Sequence, residues 1–118
     1  MPAQDGDFML RDGSVAVSGN ETGDGVLVGP CPLNGMLLLI HVPTGSPDFT
    51  VEFQESSDDG DSDAYADCPA PGDQAISEIG TKLLRAFWSE DWVRYKISSY
   101  SATGGLVEIS LVQGGEPN

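Results

Sequence analysis

A single histidine, two cysteines and a run of aspartates are the residues of this 118-residue chain whose types could do chemistry. His41 lies inside the most apolar stretch, Met36 to Val42. Nucleophilic catalysis needs a serine or cysteine within hydrogen-bond reach of a base that a third group orients. No Gly-x-Ser-x-Gly or comparable local signature accompanies this histidine. A structural or interface role is therefore expected for His41, and a pH-sensitive contact is the rival because an unperturbed imidazole titrates near neutrality.

Cys31 and Cys68 stand 37 positions apart, with no C-x-x-C or H-x-x-x-H spacing around them. With one histidine they cannot complete a zinc shell of about four ligands. Both sit in proline-flanked stretches, and two cysteines do not make a disulfide framework. Free thiols are expected, with a bridge as the alternative. The richer candidate is Ser56 to Asp63, where Asp58, Asp59, Asp61 and Asp63 could offer oxygen ligands to calcium. The run lacks the D-x-D-x-D-G register and the distant bidentate glutamate of an EF-hand. Like-charged runs ordinarily form solvated turns, and that is the expectation here. Paired carboxylates could in principle hydrolyse a glycoside. Among 19 acidic residues, however, some pair always falls at a suitable distance, so the count carries no signal. There is no Walker A or Gly-x-Gly-x-x-Gly element, and Gly23-Asp24-Gly25 reads as a turn. No cofactor is expected.

The elements that would position any such group are bounded by composition. Five Lys and Arg against 19 Asp and Glu give a formal charge of −14, with 39% hydrophobic residues, 15 Gly and 8 Pro. Length and composition fit one domain over 1–118, with a core over about 8–112 and mobile arms at 1–7 and 113–118. So much negative charge repels phosphate backbones and anionic lipid, which argues against nucleic-acid and membrane partners. The start, Met-Pro-Ala-Gln-Asp-Gly-Asp, has no basic or apolar region of a secretory signal. The longest apolar run, Met36 to Ile40, is far short of the roughly 18 residues of a spanning helix.

Glycine and proline recur every ~8–12 residues, the spacing of an all-β sandwich or barrel. Alternation puts Phe49, Val51 and Phe53 on one face of a strand over Asp48 to Gln54. Trp92 to Ser98 repeats it, with Val93, Tyr95 and Ile97 opposite Trp92, Arg94 and Lys96, and Val107, Ile109 and Leu111 do so near the C-terminus. Met36 to Val42 is apolar at almost every position, as a strand covered on both faces would be, by a second sheet and by a neighbouring subunit. Further strands are expected over Phe8 to Arg11, Val15 to Ser18, Val26 to Val28, Gln74 to Ile79 and Lys82 to Trp88. The last is expected to form a hairpin with Trp92 to Ser98 through Ser89-Glu90-Asp91. The expected fold is an antiparallel β-sandwich, jelly-roll or immunoglobulin-like, of about eight short strands.

Arg11 is isolated, but Lys82, Arg85, Arg94 and Lys96 crowd into that hairpin. Charge pairing across the sheet is one reading. A docking patch built on Trp92, Arg94 and Lys96 is the other, since Trp and Arg are enriched at interface hot spots.

The order of features resembles small β-sandwich decoration and minor capsid proteins of tailed bacteriophages. It is carried by Leu37 to Pro43, a strand ending in Val-Pro, and by Val51 to Gly60, a strand entering a Ser-Asp-Asp-Gly turn. Ile76 to Gly80, the basic segment Lys82 to Lys96 and the closing strand Leu106 to Val112 complete it, covering about residues 13–112. The resemblance implies a non-enzymatic virion protein on the capsid surface, often trimeric, that docks on the major capsid protein through loops and arms, here Pro2 to Asp12 and Cys68 to Asp73. Subunit contact is expected at Met36, Leu38, Ile40, Trp88, Trp92, Arg94 and Lys96. Two rivals are a tail or head-tail connector protein and a carbohydrate-binding module that stacks sugars on Trp88, Trp92 or Tyr100. An enzyme is a fourth reading, for which no catalytic constellation is visible.

Overall fold

Short runs of β-branched and aromatic residues between glycine and proline turns favour strands over helices. The computed structural model, which describes residues 8–101 and 105–112, contains strands and no helix among them. The expected arms at 1–7 and 113–118 lie outside the described residues. Ten strands are present among the described residues: β1 (Phe8–Arg11), β2 (Glu21–Thr22), β3 (Val26–Leu27), β4 (Met36–Val42), β5 (Phe49–Ser56), β6 (Ala66–Asp67), β7 (Gln74–Ile76), β8 (Gly80–Ala86), β9 (Trp92–Ser98) and β10 (Glu108–Val112).

They form two antiparallel sheets packed together, as expected of a β-sandwich. One runs β1-β10-β4-β8; the other is built on the β9-β5 pair, with β2 and β3 on the free side of β9 and β6 and β7 on that of β5. Alternation aims Leu38, Ile40, Val51, Phe53, Val93, Ile97, Ile109 and Leu111 at one shared core. The two-residue ladders β2 and β6 carry too little pattern to be read from sequence. Val15 to Ser18 is no strand; only Ala16 bridges, to Leu106.

The predicted Lys82–Lys96 hairpin is not formed. β8 pairs β4 in one sheet, whereas β9 pairs β5 in the other. The chain crosses between sheets because Ala86 and Trp88 turn into the core, and because the Phe87 N–H donates to Ala70 O rather than toward β9. The four clustered cations are therefore divided: Lys82 and Arg85 on one sheet, Arg94 and Lys96 on the other.

A bulge shapes the start of the fold. Ser110 faces Met9 but Ile109 faces Arg11, so Leu10 is the extra residue, and Leu10 and Arg11 both lie buried. Gly23 is required nearby, because a Cβ there would overlap the Tyr95 ring. Gly35 enters β4 at φ +71°, and a side chain would meet Ala86 O.

Candidate functional site

The outer face of the sheet built on β5 and β9 presents the half-buried side chains of Trp92, Arg94, Lys96 and Ser98, because their alternate neighbours Val93, Tyr95 and Ile97 fill the core. Arg94 lies opposite Gln54, and its Nε donates to Gln54 Oε1 at 2.8 Å. Its guanidinium sits over the Tyr65 ring, 4.1 Å from the centroid. Lys96 stands between Thr22 and Glu52 in register, and the Ser98 hydroxyl donates to Glu52 Oε2 at 2.8 Å. Trp92 is flanked by Leu27, which is exposed, and by Ser56. The face aligns one tryptophan and two cations on paired strands, with Arg94 held in place from two directions.

The remaining expected contact residues are placed elsewhere. Met36, Leu38 and Ile40 are buried against the opposite sheet. They cannot meet another subunit; the outward residues of β4 are Leu37, Leu39 and His41, each half-buried. Continuous hydrophobicity concealed which half of the strand faced the core. Trp88 is buried as well, its ring edge-on to Phe53 and its Nε1–H donating to Gly29 O at 2.8 Å. His41 Nδ1 is in hydrogen-bond contact with the Thr81 hydroxyl at 2.6 Å, and among the described residues no carboxylate hydrogen-bonds the ring to orient it as a base.

The aspartate run is a self-satisfied turn. Asp58 accepts backbone N–H groups from Ser62 at 2.9 Å and Asp63 at 3.1 Å, and these bonds hold its carboxyl below the ordinary carboxylate range. Asp63 accepts from the Ser57 N–H, and Asp59 from the Tyr65 hydroxyl. Asp58, Asp59 and Asp63 thus spend oxygens on the loop, and among the described residues the run brings no three ligand groups together, in keeping with a solvated turn. Excess calcium is expected to leave the melting temperature of the protein unchanged, whereas a bound ion would raise it in proportion to RT ln(1 + [L]/Kd). Asp58→Ala is expected to lower the melting temperature modestly in the same assay.

The acidic groups that do converge are Glu52, Asp67 and Asp73, whose oxygens lie within 4.8 Å of one another. Hard cations favour such oxygens, but Asp67 and Asp73 are exposed, and mutual repulsion is also eased by protonation. Burial, then the charges of Asp67 and Glu52, push Asp73 upward. Cys31 and Cys68 are free thiols. Burial, reinforced by Glu55 and Asp67, pushes the Cys68 thiol far up, so it is a packing group rather than a nucleophile.

Sequence reasoning missed Tyr65, the aromatic partner of Arg94, because the two meet only through the pairing of β5 with β6 and β9. It also read Arg11 as isolated. Arg11 is buried and donates through Nε to Glu21 Oε2 at 2.7 Å, and through Nη1 to Val15 O at 2.6 Å and Val107 O at 2.9 Å. The Tyr95 hydroxyl donates to the same Glu21 oxygen. Burial acts to raise Glu21, but the bonds from Arg11 and Tyr95 and the charge of Arg11 outweigh it, so its carboxyl titrates below the ordinary value. Burial, then Glu21, pushes Tyr95 up to about 12. A cleft of about 630 Å³ lies over this cluster. Arg11 already donates to three carbonyls and a carboxylate, so the cluster ties β1, β2 and β9 together and leaves no free cation for a ligand. No family model, curated protein or solved structure matches the chain.

Proposed function

We propose that this protein is a non-enzymatic structural component of a tailed-bacteriophage virion, a decoration or minor capsid protein that docks on the major capsid protein at the outer surface of the shell and there meets copies of itself. One observation carries the reading: Trp92, Arg94 and Lys96 stand together on the outer face of paired strands of an otherwise acidic body. Aromatic and arginine anchors on the outer face of a sheet suit protein contact, whereas small molecules are ordinarily bound in concave sites. The negative charge elsewhere keeps the body soluble, and an acidic region of the shell is the electrostatic complement of Arg94 and Lys96 on this face.

The carbohydrate-binding reading is weakened by geometry. Trp88 is buried, and the Tyr100 hydroxyl donates to Val17 O at 3.0 Å, which leaves Trp92 of the three stacking candidates. A glycan array with purified protein is expected to give no hits.

The test is the double charge reversal Arg94→Glu with Lys96→Glu. Both side chains reach solvent, so the protein is expected to stay folded by circular dichroism while its occupancy on purified particles falls at least tenfold by mass spectrometry. Unchanged occupancy would remove this face from the docking site. Density in a ring at the portal or tail, instead of over the shell, would favour the connector reading.

A further inference from the structure

Among the described residues the opposite sheet ends on β8, a seven-residue strand paired there only on its β4 side. Beyond its end, the Phe87 N–H points away from the sheet, to Ala70 O at 3.2 Å. Backbone groups alternate along a strand, so Thr81, Leu83 and Arg85 turn their N–H and C=O groups the same way. None of these groups has a backbone partner on that side among the described residues.

The side chains mark the same edge. Four of the seven large hydrophobic residues exposed among the described residues lie on or beside β8: Ile79 at 57%, Leu83 at 54%, Phe87 at 36% and Leu33 at 94%. Leu33 belongs to the loop held to β8 by the bond from Arg85 Nη1 to Asn34 O. Natural edges are normally blunted by short strands, bulges or charges aimed along the edge. Here Arg85 is committed to Asn34, and Lys82 Nζ reaches back to Ala75 O at 3.4 Å, so neither cation closes the ladder.

We infer that β8 is a self-pairing edge, on which a second copy of this chain adds its own β8 antiparallel about a two-fold axis at Leu83. The choice of a second copy follows from the strand itself. In that register Leu83 faces Leu83 of the other copy, Thr81 faces Arg85, Lys82 faces Leu84 and Gly80 faces Ala86. Apolar meets apolar at the central Leu83 pair and at Gly80–Ala86, and no like charges stand directly opposite. The outward groups of Thr81, Leu83 and Arg85 fall in hydrogen-bonded pairs, and the Ala70–Phe87 bridge bounds the ladder. Two bodies of charge −14 repel, and β8 with its neighbour β4 is where they can approach, because these strands hold Lys82, Arg85 and His41 and no acidic residue. Pairing also extends one outward row, Met9-Ser110-Leu39-Leu83, across both copies.

The inference is separate from capsid docking, which uses the other sheet, and an isologous edge closes at two copies. A ladder of this length is at the low end of interface size, below ~1,200 Å², so association is sought by sedimentation from about 1 µM to about 1 mM. The expected result is a monomer–dimer equilibrium. Leu83→Lys, which sets like charges face to face, and Leu83→Pro, which removes an outward N–H while sparing the bonds to β4, are each expected to weaken it at least tenfold. Leu27→Lys on the opposite sheet is expected to leave it unchanged. In amide-resolved hydrogen exchange, the Thr81, Leu83 and Arg85 amides should become protected as concentration rises, while Lys82 and Leu84 stay protected throughout. A monomer at every concentration, a trimer, or a dimer indifferent to Leu83→Lys would overturn the pairing. Particle occupancy of the Arg94→Glu, Lys96→Glu protein reports separately on docking.

Discussion

Replacement of Arg11 by methionine is expected to lower the free energy of unfolding by about 3 kcal/mol, read as a shift of the urea midpoint at unchanged m-value. The bulge in β1 buries this side chain, where it donates to Val15 O, Val107 O and the carboxylate of Glu21. Methionine fills a similar volume but leaves those acceptors without their donor, and an orphaned buried polar group costs more than its bond contributed. Adding Glu21→Gln should cost less in the Arg11→Met background than in the wild type, because the charge stranded by the first change is gone. The same pair governs an acid response. Glu21 titrates below its ordinary 4.5 in the folded state and near that value when unfolded. The folded state therefore holds the proton less readily. Its contribution is complete above the unfolded value and is lost as pH falls through the folded one. Glu21→Gln should flatten that part of the stability–pH curve, and an unchanged acid limb would show that other carboxylates govern it.

Trp88→Ala is expected to cost about 3–5 kcal/mol, as large aromatic truncations in packed cores do. The ring is buried edge-on to Phe53 at the crossing between β8 and β9, and its Nε1–H ties the crossing to Gly29 O. Trp88→Phe separates the two contributions: packing is largely kept, and loss of the bond alone should cost about 1 kcal/mol. The experiment also decides between core and contact. A tryptophan held at a subunit interface would, on truncation, weaken association and leave the monomer's denaturation midpoint in place. The buried position predicts the reverse.

Much of the sandwich was legible because alternation is a local property. Phe49, Val51 and Phe53, or Val93, Tyr95 and Ile97, must share a face in any extended strand, and those faces form the core. Met36 to Val42 was legible as a strand but not as a surface. Every position is apolar except His41, so sequence could not say that Leu38 and Ile40 face inward while Leu39 looks out. Arg94 and Lys96 were readable as an outward-facing pair because Trp92, Arg94 and Lys96 alternate with core residues. Tyr65 and Gln54, which fix Arg94, were not, being 29 and 40 positions away in the chain.

The amino-acid sequence by itself determined the fold class, the solvated acidic exterior, the turn at Asp58 to Asp63 and the outward face of β9. Each depends on residue type and on neighbours within a few positions. Only the tertiary structure decided which strands lie in which sheet. That choice separated Lys82 and Arg85 from Arg94 and Lys96, buried Trp88, brought Arg11 to Glu21 and left β8 at the end of its sheet among the described residues. The physical reason is that a strand satisfies only its alternate backbone groups with any one neighbour. Where the others go is set by long-range packing around the shared core rather than by the strand's own residues.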